Sequence, residues 1–265
     1  MAEYDKIARY YDAIFAGIFP YDREVQALHR LFRQHGDEPV RHLLDASCGT
    51  GSHLLRLAHL GYGCSGSDIS PGMLTVARQK ARQQGLQVNW FEQDIKHLCL
   101  ERTFDAVISL YGLPLMLVAE DAEPAALQQG LTVALKGIQR HLNDGGIFVF
   151  NIINAESPLP YPGFGPWSAA NLQAMDKDGL NIVLMNKIRR SHDLMFFKDI
   201  YLVQEKGALN MEILAYTIWL PGLDQLQAIL EKSGFEVLAV YSQLSALTAY
   251  NPQSLDVTIV SKKGK

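Results

Sequence analysis

From Arg41 to Ile152, short apolar runs alternate with stretches of helical period. His42-Leu43-Leu44-Asp45 reads as a buried strand, and a glycine turn follows it. Leu54, Leu55, Leu57, Ala58 and Leu60 share one helical face that stops at Gly61. Ser65-Gly66-Ser67-Asp68 closes a second short strand. Ser70-Pro71 then offers a serine cap and a proline at the first helical position. The spacing predicts a helix from there to about Gln84, with Gly85 as its stop. Val88 to Glu92 and Phe104 to Leu110 read as the third and fourth strands. A long helix from about Glu123 to Leu142, a turn at Asn143-Asp144-Gly145-Gly146 and a fifth strand from Ile147 to Ile152 follow. Strands and helices alternating at this spacing imply a parallel sheet covered on both faces.

The pattern changes after Asn154. Pro158, Pro160, Pro162, Gly163, Gly165 and Pro166 make this stretch loop or lid rather than core. From Asn181 to Leu220 polar and apolar residues partly alternate, which predicts three antiparallel strands with turns near His192-Asp193 and Lys206-Gly207. A helix from Leu223 to Lys232 stops at Gly234, and strands at Glu236 to Tyr241 and Asp256 to Val260 are placed to rejoin the main sheet. The first 35 residues read as helical, with Ile14, Phe15, Ile18 and Phe19 apolar and a second helix around Val25 to Phe32. The expected division is a helical lid over residues 1–40, a core over 41–153, a capping insertion over 154–220 and a completion of the core sheet over 221–265.

At 265 residues, with 48% hydrophobic and 20% charged, the chain is long enough to bury a core without disulfides or metals. The net charge of −4, without a basic run, argues against nucleic acid as a partner. No apolar stretch is long enough to span a membrane, and the N-terminus lacks a signal-peptide pattern, so a cytoplasmic protein is expected. Cys48, Cys64 and Cys99 form no paired motif, and the eight histidines are scattered without metal-ligand spacing, so no metal is expected.

Chemistry concentrates in Asp45-Ala46-Ser47-Cys48-Gly49-Thr50-Gly51-Ser52. Gly49 and Gly51 permit a tight turn and close approach of a ligand to a helix N-terminus. A dinucleotide site competes for this run, because Asp68 lies at a distance suited to a ribose. Two residues oppose it. Leu54 stands where the dinucleotide fingerprint has its third glycine, and the Asp45 carboxylate would repel a pyrophosphate. A ligand with an ammonium and a ribose but no phosphate fits better.

The run Leu43-Leu44-Asp45-Ala46-Ser47-Cys48-Gly49-Thr50-Gly51 resembles motif I of class I S-adenosylmethionine-dependent methyltransferases, with Ser47 in place of the first glycine. Asp68, before Ile69-Ser70-Pro71-Gly72-Met73-Leu74, resembles the family's ribose-binding acid, and Gln93-Asp94-Ile95 its adenine-binding motif. Phe104-Asp105-Ala106-Val107-Ile108-Ser109 and Leu142-Asn143-Asp144-Gly145-Gly146 resemble the fourth-strand motif and the turn before the fifth strand. The start, with Tyr4-Asp5, Ala8, Tyr11-Asp12 and Tyr21-Asp22-Arg23-Glu24, is similar to small-molecule members, including sugar N,N-dimethyltransferases; the inserted strands also resemble those of glycine N-methyltransferase relatives.

The resemblance implies a Rossmann-like α/β fold: a seven-stranded, mostly parallel sheet with helices on both faces, plus an antiparallel substrate-capping insertion. It places S-adenosylmethionine against Tyr11, Tyr21, Asp45, Gly49, Gly51, Leu54, Asp68, Ile69, Met73, Asp94, Ile95 and Ser109. Tyr11 and Tyr111 are the catalytic candidates, with packing as the alternative for each, and Asp105 is expected to be structural. His53 is expected at the helix start as a cap or at the cofactor's edge, and Phe164 and Trp167 as aromatic walls for an acceptor. The acceptor is expected to be a small molecule, an amine ahead of a hydroxyl. A non-catalytic S-adenosylmethionine-binding module and a dinucleotide-dependent oxidoreductase remain the alternatives.

Overall fold

Strand β1 (His42–Asp45) sits in the interior of the main sheet because both its faces are apolar: Leu43 packs toward one layer of helices and Leu44 toward the other. The computed structural model describes residues 3–15, 17–112, 124–157, 172–177 and 180–264. Around β1 lie β2 (Gly63–Asp68), β3 (Val88–Glu92), β4 (Phe104–Ser109) and β5 (Leu142–Ile153). β1 pairs in parallel with β2 and β4, β2 with β3, and β4 with β5. Strand order therefore switches at β1, and the open crevice lies beyond the carboxyl ends of β1 and β4.

Helices α1 (Tyr11–Phe15) and α2 (Tyr21–His35) precede the sheet; α3 (Ser52–His59), α4 (Pro71–Gln83) and α5 (Pro124–Arg140) connect its strands. Leu28, Leu54 and Leu74 from α2, α3 and α4 cover one face, and Leu131, Leu135 and Ile138 from α5 cover the other. α4 starts as its sequence dictates. Ser70 Oγ accepts from Met73 N at 3.1 Å and Pro71 occupies the first turn. The turn expected at residues 143–146 is instead a bulge within β5. Pairing with β4 jumps from Phe104–Leu142 to Ala106–Ile147, and Gly145 takes φ +73°. Asp105 holds this corner, accepting from Arg41 N, His42 N and Asn143 Nδ2 at 2.8–2.9 Å. Its role is structural.

The insertion forms a separate antiparallel sheet of β6 (Leu172–Lys177), β7 (Leu180–Ser191), β8 (Leu194–Glu205) and β9 (Ala208–Trp219). That is one strand more than the sequence predicts, since β6 follows directly on the proline-rich stretch and shows no alternation of its own. On β8, Met195, Phe197, Asp199, Tyr201 and Val203 are buried at every second position. The N-terminal segment covers this face: Ile7, Tyr10 and Ile14 join Leu184, Tyr201 and Leu214 in one apolar cluster. After α6 (Leu223–Lys232), β10 (Phe235–Gln243) and β12 (Asp256–Lys263) return antiparallel to the main sheet, β12 beside β5. With β10 and β12 the sheet reaches the expected seven strands, and the two-residue β11 (Thr248–Ala249) adds an edge. No helix among the described residues is long and apolar enough to cross a membrane.

Candidate active site

The segments that leave β1, β2, β3 and β4 at their carboxyl ends line one cavity of about 160 Å³. Gly49 makes its first wall with φ +50°, a backbone shape that favours glycine, and its N–H donates to Asp68 Oδ2 at 2.8 Å. Ser70 N donates to Asp68 Oδ1 at 2.9 Å, so each carboxylate oxygen holds one backbone donor and keeps acceptor capacity toward the cavity. Burial raises the Asp68 pKa despite these donors. Asp94 caps a short 3-10 turn through Lys96 N at 2.9 Å and lines the same cavity beside Ile95. Ile69, half exposed at 50%, and Met73 give the wall its apolar surface. Tyr11 and Tyr111 also line it, as do Tyr4, Gln93 and Lys96.

Five of the residues proposed from sequence stand behind this wall. Asp45 is 3% exposed and accepts from Ser47 N; burial pushes its pKa up to about 7. Ser109 is buried against Ser47 Oγ at 2.8 Å. Gly51, at φ +78°, ends the loop where any Cβ would press on Trp90 at 3.1 Å. Leu54 packs against the backbone of Gly66, filling the place of the missing glycine with a core side chain. Tyr21 packs edge-on against His53, with the Arg56 guanidinium over its ring. His53 itself departs from expectation. It is buried away from the cavity, with Nε2 at 2.8 Å from Glu24 Oε2.

A second, larger cavity of about 350 Å³ shares Tyr4, Tyr11 and Tyr111 with the first. Phe197, Tyr216 and Ile218 of the antiparallel sheet roof it, and Asn151, Asp256 and Thr258 of the main sheet form its floor. Phe15, Phe19 and Glu24 close it from the N-terminal side. Phe164 and Trp167, the expected aromatic walls, lie outside the described residues. Tyr111 is held on three sides. Its backbone is left-handed at φ +59°, its N–H donates to Asn151 Oδ1 at 2.7 Å, and its hydroxyl donates to Glu24 Oε1. Its ring packs on Phe19 at 4.3 Å. Burial, and then the Glu24 charge, raise its pKa far above the usual phenol value. Burial and the nearby Glu24 push Asp256 up to about 6. Among the described residues, no histidine, lysine or arginine lines this cavity.

A methyltransferase domain model matches residues 43–146, the stretch that builds the first cavity from Gly49, Asp68 and Asp94. Residues 43–146 are therefore similar to a methyltransferase domain. The whole chain shares its fold with a crystal structure of an S-adenosylmethionine-dependent methyltransferase from Clostridium acetobutylicum ATCC 824, at a TM-score of 0.79 and 20% identity over 99% of each chain. A sugar N-methyltransferase from Streptoalloteichus sp ATCC 53650 superposes at a TM-score of 0.75 and 22% identity, covering 96% of this chain and 93% of that one. By sequence, the chain is 32% identical over 125 residues to the dTDP-3-amino-3,6-dideoxy-alpha-D-glucopyranose N,N-dimethyltransferase of Streptomyces fradiae, 47% of either chain. The chain spans about half the length of the curated relatives it matches first.

The N-terminal segment is fastened to residues 43–146 at the two helix starts beside the first cavity. Asp5 Oδ1 accepts from Ser70 Oγ at 2.5 Å and from Gly72 N at 2.9 Å. Asp12 accepts from Thr50 Oγ1 at 2.6 Å and pairs with Lys80 Nζ at 2.7 Å. The sequence marks both acids in the Tyr4-Asp5 and Tyr11-Asp12 pairs but gives neither a role. Glu24 stands in the quoted Tyr21-Asp22-Arg23-Glu24 run without an expected role, while Asn151 and Asp256, which no motif marks, and Gly112, where a Cβ would collide with Ser47 Oγ, were passed over.

Proposed function

We propose that this chain is a cytoplasmic enzyme that transfers a methyl group from S-adenosylmethionine to a small-molecule acceptor, an amine ahead of a hydroxyl. One observation carries the reading: two cavities, one ringed by strand ends and one by aromatic rings, meet at Tyr4, Tyr11 and Tyr111. When bound, S-adenosylmethionine supplies an electrophilic methyl on a sulfonium. The chain fits that cofactor. Asp68 offers free acceptor positions to ribose hydroxyls, Asp94 offers one to the adenine amine, and Ile69 and Met73 offer apolar surface to the adenine ring.

Positioning is then the main task left to the protein. Tyr11 and Tyr111 stand at the junction, where an acceptor in the second cavity would present its nucleophile. Tyr111 orients that group through a hydroxyl fixed by Glu24, and the aromatic roof excludes water. Residues 1–40 serve as the lid and 154–220 as the cap that selects the acceptor. The amine preference is supported by two carboxylates, Glu24 and Asp256, in a cavity that no cationic side chain lines among the described residues. It agrees with the amino-sugar acceptor named for the Streptomyces fradiae relative. Isotope-labelled S-adenosylmethionine incubated with a panel of amines and their hydroxyl counterparts tests this reading. Label should appear in amines first. Label in hydroxyl compounds alone would reverse the acceptor preference.

A further inference from the structure

Asp256 opens β12 directly across from Ile153, the last residue of β5, so the antiparallel return of the chain brings its carboxyl to the cofactor end of the sheet. There it lines the aromatic cavity. The charged and titratable groups facing that space are Glu24 from α2, Tyr111 after β4, Tyr4 and Tyr11 from the N-terminal segment, and Tyr216 from β9. Glu24 is already engaged at both oxygens, by the Tyr111 hydroxyl and by His53. Among the described residues, Asp256 has no side-chain hydrogen-bond donor and no cation lines the cavity to balance it. A half-buried carboxylate without a partner carries a desolvation cost, and a cationic ligand would offset it.

We propose that Asp256 seats the ammonium group of the acceptor in this cavity and takes its proton before methyl transfer. The inference rests on the methyltransferase reading and deepens it. An N–H bond of the ammonium breaks, its electron pair stays on nitrogen as the nucleophilic lone pair, and the proton moves to a carboxylate oxygen of Asp256. Aromatic walls favour this exchange, since a neutral amine beside a neutral acid is less costly in apolar surroundings than two separated charges. A pKa raised to about 6 by burial, and then by Glu24, brings Asp256 closer to an amine than an exposed aspartate would be.

The test compares benzylamine, a cation at neutral pH, with benzyl alcohol, its neutral counterpart. Each is titrated calorimetrically into the full chain, with and without S-adenosylhomocysteine. The native chain should bind benzylammonium at least ~10-fold more tightly than the alcohol, the scale of one charge-assisted hydrogen bond. In Asp256→Asn the preference should shrink to within about 2-fold while S-adenosylhomocysteine binds as before. Native binding of the amine should strengthen as pH rises through about 6, and methyl transfer to an amine should gain a limb in the same range. Both dependences should vanish in Asp256→Asn. Equal binding of the two probes, or a preference and pH limb unchanged in Asp256→Asn, would overturn the proposal. A preference lost only in Glu24→Gln would move the role to Glu24. Failure of S-adenosylhomocysteine to bind would instead strike the methyltransferase reading, and the comparison without it would still decide the role of Asp256.

Discussion

The Tyr111 hydroxyl donates to Glu24 Oε1, tying the loop after β4 to helix α2 across the junction of the two cavities. His53 Nε2 holds the other Glu24 oxygen, so the phenol is one end of a buried chain of three side chains. Packing alone would not need a hydroxyl there.

Tyr111→Phe should therefore reduce turnover by about 10- to 100-fold, equivalent to ~1.4–2.7 kcal/mol of barrier, with cofactor affinity nearly unchanged. Steady-state kinetics beside calorimetry with S-adenosylhomocysteine check this. Unchanged turnover would leave Tyr111 as a packing residue.

Asp68→Ala should weaken cofactor affinity at least ~10-fold, since charge-assisted hydrogen bonds contribute roughly 1.5–3 kcal/mol each. Structure adds a second consequence. The variant also strands Gly49 N and Ser70 N, so a chemical melt should show a stability loss of about 1–3 kcal/mol. Normal affinity in a folded variant would contradict the ribose role.

How much of this was legible in the sequence depended on whether a residue's task was local. Strand ends, caps and glycine turns are set by neighbours along the chain, so Ser70, Gly49 and Asp68 announced themselves. Leu54 did too, though as a core residue rather than a ligand contact. The second cavity was not legible, because it is assembled from distant segments. Asn151 and Asp256 meet through the pairing of β5 with β12, and Glu24 reaches the same cavity from α2. The same cause hid the anchoring of the N-terminal segment, where Ile14 reads only as an apolar helical position and its partners Leu184, Tyr201 and Leu214 lie far along the chain.

That anchoring alters the expected behaviour of the lid. Removing residues 1–20 would strip Ile7 and Ile14 from the antiparallel sheet, each contributing roughly 1.5–3 kcal/mol of burial, and would unsettle more than the cofactor site. Asp5→Ala is the gentler probe, because it cuts only the ties to Ser70 and Gly72. Hydrogen exchange should show amides of residues 3–15 gaining protection with S-adenosylhomocysteine, and less gain in Asp5→Ala. Equal protection in every state would make the segment fixed structure.

Stability should fall as pH rises from about 4 to 7. Burial raises Asp45 from its ordinary 3.8 to about 7, so the folded chain holds a proton there that the unfolded chain releases. The stabilisation is complete below the unfolded value and is lost as pH climbs through the folded one. Asp68, Asp199 and Asp256 are shifted the same way, each mainly by burial. Asp45→Asn should flatten part of this slope in thermal melts across that range. A slope of the same size in the variant would show that Asp45 ionises normally.

The most direct measurement is a calorimetric titration of the full chain with S-adenosylhomocysteine and, separately, with NAD. One S-adenosylhomocysteine should bind per chain, with a rise in melting temperature by mass action, and NAD should give no heat. Tight binding of NAD, or no binding of S-adenosylhomocysteine, would contradict it.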